Sequence, residues 1–477
     1  MTDFILCGGE VIDGSGKPPF RADVTIREGL IAAVGKCESR AGAREIDCTG
    51  KVVAPGFIDT HTHDDRALLV NPEMAMKISQ GVTTVVTGNC GISLAPFVAK
   101  TAPPPPFDLL GEADDFCYPR FADYLAALDS SPPSLNAAPL VGHSTLRLAA
   151  MEALDRPAST VELAAMGEGL EEALRAGAFG LSSGLYYPPA ACAPPSEIEA
   201  LARLLARAGA LYATHMRDEG KGVLASLDES FAVGRKAKIP VVISHHKLAG
   251  RENFGRSTQT LAHFEKAMGA QEIGLDAYPY AASSTILQED RIGAAEKVLV
   301  TWSKSVPEAA GRELSELARE WGISLEAAAQ RLKPAGAIYF MMDEADVRRI
   351  LAFPQTMIGS DGLPFDSHPH PRLWGTFPRV LGHYSREVGL FSLAEAVRRM
   401  TSLPAARFGL KGRGSIGPGL FADIAVFDPS SVIDRASFDD PCRPALGIEH
   451  VFVGGRPVWS EERPTGERPG RVLRRGR

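Results

Sequence analysis

Val52-Val53-Ala54-Pro55-Gly56-Phe57-Ile58-Asp59-Thr60-His61-Thr62-His63 is the stretch on which the rest of the chain turns. An apolar, β-prone run ends in two histidines set two residues apart. In an extended strand, side chains i and i+2 point to the same side. His61 and His63 therefore converge on one point, which is what a metal ion needs. The reading makes two demands. Other strands must bring further ligands to the same place, and a carboxylate must stand there to move protons. Ser360-Asp361-Gly362, far along the chain, offers the carboxylate.

Working outward, eight apolar β-rich runs occur at residues 57–63, 82–87, 137–141, 179–183, 211–215, 241–245, 273–278 and 356–361. Segments with helical periodicity, such as 196–208 and 223–236, lie between them. This alternation predicts an α/β fold, a (β/α)8 TIM barrel over residues 55–411. An open doubly wound sheet fits less well, because no glycine-rich phosphate loop follows the first strand. Short strands and turns at residues 1–54 and again at 412–477 predict one small β-sandwich domain assembled from both termini. Residues 286–350 hold too much chain for a single βα connection. They predict a helical insertion between strands seven and eight, with helices near 307–321 and 324–332, lying over the catalytic face.

The composition is that of an ordinary globular chain: 477 residues, 23% charged and 45% apolar. A net charge of −7 gives no reason to expect a nucleic-acid partner. The five arginines between residues 468 and 477 are expected to form a solvated tail. No segment approaches the roughly 20 apolar residues of a membrane span. The N-terminus lacks the basic start and apolar core of a signal peptide. Seven scattered cysteines do not make a disulfide framework. These features predict a cytoplasmic enzyme acting on a small molecule.

In a TIM barrel the reactive groups sit at the C-terminal ends of the strands, and here polar residues able to bind metal end the apolar runs. His61 and His63 end the first, Asn89 and Cys90 follow the second, and His143 follows the third. His215 ends the fifth, His245 the sixth and Asp361 the eighth. A lone histidine at a strand end is usually structural; a series at one end of one barrel would need repeated coincidence. His246, beside His245, should point away from the barrel axis. Cys90 lies in the turn Thr87-Gly88-Asn89-Cys90-Gly91, facing the histidines. With His215 and His245 it makes three protein ligands and leaves a fourth position for water, the arrangement of a catalytic zinc. Asp361 would take the proton of that water and return it to a leaving amine. Its alternative is a helix N-cap.

These residues resemble the amidohydrolase superfamily and, within it, the N-acyl-D-amino-acid deacylases (D-aminoacylases). The broader likeness rests on Pro55-Gly-Phe-Ile-Asp59-x-His61-x-His63. The narrower one rests on Thr87-Gly-Asn-Cys90-Gly, Gly142-His-Ser-Thr-Leu-Arg147, Thr214-His-Met-Arg-Asp-Glu219, Ser244-His-His-Lys247, Asp276-Ala-Tyr-Pro-Tyr280 and Gly359-Ser-Asp-Gly-Leu-Pro364. The resemblance implies a tight zinc on Cys90, His215 and His245, and a weaker second position at His61 and His63 sharing Cys90. It makes Asp361 the general base and then the general acid. Lys247, Tyr278, Ser284 and Arg372 fall where the family binds the amino-acid carboxylate, and Tyr187 or His63 would help hold the oxyanion. Many relatives with two metals use a carbamylated lysine on the fourth strand; this chain has Gly180-Leu-Ser-Ser-Gly184 there. The reaction implied is hydrolysis of N-acyl-D-amino acids. Its rivals are an amidohydrolase of cyclic amides or dipeptides, and a metal-free scaffold protein.

Overall fold

The structure, a computed structural model, describes residues 2–36 and 42–476. Parallel strands form the barrel in two arcs. Phe57–Asp59, Val82–Thr87 and Asn136–Pro139 make the first. Val141–Gly142, Gly180–Gly184, Leu211–His215, Val241–Ile243, Ile273–Ala277 and Thr356–Ile358 make the second. The third barrel strand is thus interrupted at Leu140, and each half serves a different arc. Closure runs between the eighth and first strands: Asp361 N–H donates to the His61 carbonyl at 2.8 Å, and Thr62 pairs with Gly362. The strands read as continuous apolar runs because both of their faces are covered; every residue of Val82–Thr87 is buried.

The surrounding helices begin and end on ordinary local chemistry. Thr160–Ala176 starts on a Ser159 cap with Glu162 closing the capping box, and stops at Gly177 in a left-handed conformation. Among the described residues no helix is long and apolar enough to cross a membrane.

Strands from both termini form one nine-stranded sheet with its own core, including Phe4, Leu6, Val24, Ile424 and Phe452. Val52–Pro55 pairs antiparallel with Ile424–Phe427 inside this sheet and then runs straight into the first barrel strand. Gly56 sits at the junction, where a Cβ would clash with Thr83 of the neighbouring strand. The small domain therefore fixes the base of the strand that carries His61 and His63.

Two expectations need correction. The insertion is not wholly helical. Its helices Leu314–Trp321 and Leu325–Leu332 pack on a three-stranded antiparallel sheet of Ala282–Ile286, Ala335–Phe340 and Lys297–Ser303. Those strands are short, and their pairing is decided by partners distant in sequence, which local periodicity does not report. Nor is the arginine-rich end a solvated tail. Ala137 N–H donates to the Arg471 carbonyl at 3.0 Å, and Leu473 N–H donates to the Ala137 carbonyl at 2.8 Å. Val472 is buried, and Arg474 pairs with Asp129. Apolar Val472-Leu473 between the arginines is the signal that a count of charge passes over.

Candidate active site

Cys90 is the hub of the site. Its Sγ lies 3.2 Å from His61 Nε2, 3.3 Å from His245 Nε2 and 3.6 Å from His215 Nδ1. Zinc–sulfur bonds of about 2.3 Å and zinc–nitrogen bonds of about 2.0 Å at tetrahedral angles place ligand atoms about 3.5 Å apart. The spacing and the buried sulfur–imidazole donor set fit zinc. Ligand atoms of His61, Cys90, His245 and Asp361 all lie within 4.8 Å of one another, as do those of His215, Glu219 and His245. The fourth barrel strand can approach the Cys90 turn because residue 184 is glycine; a Cβ there would collide with the Cys90 carbonyl. Cys90, His245 and Asp361 have φ of 52°, 36° and 52°. Left-handed backbone in residues other than glycine costs of order 1–3 kcal/mol each and persists where the surroundings enforce it.

Two carboxylates orient the imidazoles. Asp276 Oδ1, at the end of the seventh strand, lies 3.5 Å from His61 Nδ1 and accepts the His245 backbone N–H at 2.8 Å. Glu219 Oε1 lies 3.0 Å from His245 Nδ1, and its Oε2 lies 3.7 Å from His215 Nε2. A proton held on the outer nitrogen leaves the inner one free to bind metal. Burial opposes the Cys90 thiolate, yet the His61 and His245 charges, with hydrogen bonds from His215 and His245, hold the thiol well below its usual range. Burial likewise opposes the His63 cation, and hydrogen bonds to Asp361 and Cys90 outweigh it, pushing His63 up to about 9. Glu219 is held well below the usual carboxylate range despite burial, chiefly by Lys247.

Asp361 points into the same cluster. Its Oδ1 lies 3.3 Å from His63 Nε2 and 3.5 Å from His61 Nε2, and its Oδ2 lies 3.0 Å from Arg372 Nη1. Burial favours the neutral acid, but Arg372 and His63 keep Asp361 well below the usual range. Tyr187, Lys247, Tyr278 and Ser284 line one cavity with His63 and Asp361. Among the described residues Ser284 Oγ is buried without a hydrogen-bond partner, and Lys247 Nζ donates to Glu219 Oε1 at 2.5 Å. Burial raises Tyr187 well above the usual phenol range, so it keeps its proton; it shares a 2.9 Å hydrogen bond with Thr285. Arg372 is placed differently from the expectation. It is fully buried behind the wall, stacked 4.7 Å from the Tyr278 ring, and anchors Asp361.

Three strand-end polar residues lie outside the cluster. His143 Nε2 bonds Glu197 at 2.8 Å beside buried Arg147, a structural network. Asn89 ties its own turn to the Val86 carbonyl at 2.9 Å. His246 points away as expected and meets Thr260 Oγ1 at 2.9 Å. Sequence reasoning missed the roles of Glu219 and Asp276, although both sit at strand ends where such partners belong. It also missed Arg291, a buried guanidinium that the insertion places on the cavity wall. In Gln288-Glu289-Asp290-Arg291 that residue reads as part of a solvated helix.

The amidohydrolase family profile matches residues 44–459. The chain is 56% identical over 473 residues to a D-aminoacylase of Alcaligenes xylosoxydans xylosoxydans, covering 99% of this chain and 98% of the relative. A crystal structure of a D-aminoacylase superposes with a TM-score of 0.97 at 56% identity, covering 100% of both chains. An N-acyl-D-glutamate deacylase from Bordetella bronchiseptica, solved with zinc and a phosphonate mimic of the tetrahedral intermediate, superposes with a TM-score of 0.96 at 47% identity, covering 99% of both chains.

Proposed function

The chain belongs to the amidohydrolase family, and from that premise we propose that it is a zinc-dependent hydrolase of N-acyl-D-amino acids, releasing a free D-amino acid and a carboxylate. The observation that carries this reading is the convergence of Cys90 Sγ on three imidazole nitrogens at 3.2–3.6 Å, with the Asp361 carboxylate beside them. Cys90, His215 and His245 would hold the tighter zinc. His61 and His63, sharing Cys90, would hold a weaker second one. Bound zinc supplies Lewis acidity, polarising the acyl carbonyl and bringing the pKa of a water to about 7.

The chain's own groups account for the rest. Asp361, ionised and fixed by Arg372, accepts the proton of the attacking water at Oδ1 and then delivers it to the departing amide nitrogen. Tyr187 O–H, kept protonated by its burial, donates to the developing oxyanion, with His63 beside Asp361 as the second candidate. Lys247, Tyr278 and Ser284 take the α-carboxylate of the substrate. Arg372 adds its positive charge from beneath Tyr278. On the fourth strand Ser182 bonds the Gly88 carbonyl and Ser183 bonds Tyr212 at 2.6 Å, so both serines serve structure.

The test is zinc content together with hydrolysis of N-acetyl-D-methionine and N-acetyl-L-methionine. The D substrate should be cleaved and the L substrate left intact. Cys90→Ala and His215→Ala proteins that keep both zinc and activity would refute the assignment.

A further inference from the structure

The N-terminal end of the barrel, opposite Cys90 and Asp361, carries a second concentration of charge. A cavity of about 200 Å³ opens there. It lies between the start of the fourth strand, the link that leaves the helix Ser402–Phe408 for the small domain, and the C-terminal segment. Lys411 and Arg413 come from the link, Arg471 and Arg474 from the C-terminal segment, and Phe179 and Phe421 supply apolar wall. The described residues that line it include these four cations and no acid.

Two of the four cations are matched from outside the cavity. Arg474 pairs with Asp129. Arg413, its side chain 6% exposed, stacks 4.2 Å from the Phe421 ring and pairs with Asp423. Asp423 is fully engaged: Asn136 Nδ2 donates to its Oδ2 at 3.0 Å, and the Gly454 N–H donates to its Oδ1 at 2.7 Å. Lys411 and Arg471 differ. Both are exposed, and among the described residues neither side chain has a hydrogen-bond or ion-pair partner. Even with Asp423 in contact, burial and then the Arg471 charge bring Arg413 down to about 10. The two guanidinium groups are thus near enough to repel. The backbone keeps them there, because Arg471 N–H donates to Asn136 Oδ1 at 3.2 Å and its carbonyl accepts the Ala137 N–H at 3.0 Å.

A lysine point charge beside two guanidinium forks suits an anion with several oxygens. A carboxylate brings one charge and two oxygens, whereas a phosphomonoester brings about −1.5 to −2 near pH 7 and three acceptor oxygens. A recess of this volume suits a small molecule, and a net charge of −7 on the whole chain does not favour an extended polyanion. We propose that this cavity binds a small phosphate-bearing anion, which ties the link to the C-terminal segment through Lys411, Arg413 and Arg471.

The test titrates the zinc-loaded full chain with inorganic phosphate and with phenyl phosphate by calorimetry at constant ionic strength, with sodium acetate as the control. Wild type should bind at least one of the two phosphates, and more tightly than acetate. Lys411→Met and Arg471→Met should each weaken that binding about tenfold or more, the worth of a charge-assisted hydrogen bond, and Arg471→Lys should weaken it less. Removing one of two repelling charges should leave the phosphate-free thermal midpoint of Arg471→Met no lower than that of wild type, which also shows that the variant is folded. Phosphate binding that persists unchanged in both methionine variants belongs to the zinc site and would overturn the proposal. So would acetate binding as tightly as phosphate, a lowered midpoint in Arg471→Met, or no binding of either phosphate. Capture of the wild type by phosphatidylglycerol vesicles, with neither soluble phosphate bound, would overturn it in favour of a membrane surface.

Discussion

At the scale of single residues, the candidate ligands were legible because each ends or closely follows an apolar run, and the fold brings strand ends together. The groups that aim them were not. Glu219 reaches His215 and His245 across two strands, and Asp276 reaches His61 from the seventh strand to the first. Such partners are fixed by closure of the barrel, not by local pattern. Their contribution can be measured. Asp276→Asn keeps the shape but removes the anionic acceptor behind His61, and should weaken zinc binding about 10- to 100-fold by competition with a chelator. An unchanged affinity would make Asp276 a purely structural cap of His245. Asp361→Asn should separate metal holding from proton transfer. One zinc per chain is expected to remain, while kcat falls by about 10²- to 10⁴-fold. Loss of the tight zinc along with activity would instead make Asp361 a ligand of that metal.

At the scale of elements, the barrel strands were visible as apolar runs, but the ties between them were hidden in residues that look unremarkable in sequence. Lys77 is fully buried and joins the two strands that close the barrel. It donates to Asp59 Oδ2 at 2.8 Å and to Ser360 Oγ at 2.7 Å, and Asp64 lies 3.3 Å away. Lys77→Met would leave two buried carboxylates without their cation and should cost about 3–5 kcal/mol in urea unfolding. A loss under about 1 kcal/mol would mean the acids take up protons and tolerate the change. The seam between the insertion and the barrel loops is expected to lose stability as pH rises. Burial pushes Asp366 up to about 7, with nearby Asp108 adding to the rise and Thr301, Arg372 and Trp302 opposing it. Burial pushes Asp108 up to about 6, with Lys304 opposing and Glu112 assisting. Unfolded aspartate titrates near 3.9, so between these values the folded chain binds the extra protons. Linkage then makes this contribution fall as pH rises from about 4 to about 7. Asp366→Asn should therefore gain stability relative to wild type at pH 8 compared with pH 5. A difference between the two proteins that is the same at both pH values would reject the account.

At the scale of the whole molecule, both chain ends bear on the barrel, and only one of these contacts could be read beforehand. Strand texture at the two termini announced a shared sheet. The arginines of the final segment suggest solvation, while its structural part lies in backbone pairing that composition does not show. The fourth barrel strand pairs with the third only along Val141–Gly142, which leaves the edge at Ala137 open. The tail fills that gap: Val472 bridges Ala137, Gly470 N–H donates to the Pro133 carbonyl at 2.9 Å, and Arg475 N–H donates to the Gly177 carbonyl at 3.0 Å. With the two hydrogen bonds at Ala137, four backbone bonds hold the strap, each contributing about 0.5–1.5 kcal/mol net. Leu473 adds apolar contact with the cluster of Val86, Ala138 and Phe179. Truncation after residue 469 should therefore cost about 2–5 kcal/mol and lower the thermal midpoint by a few degrees. The strap lies at the N-terminal ends of the strands, and Cys90 and Asp361 lie beyond the C-terminal ends. In folded truncated protein at 25 °C, zinc content and kcat/KM should match the full chain. Loss of activity with zinc and fold intact would mean that the third and fourth strands transmit the tail's position to the Cys90 turn.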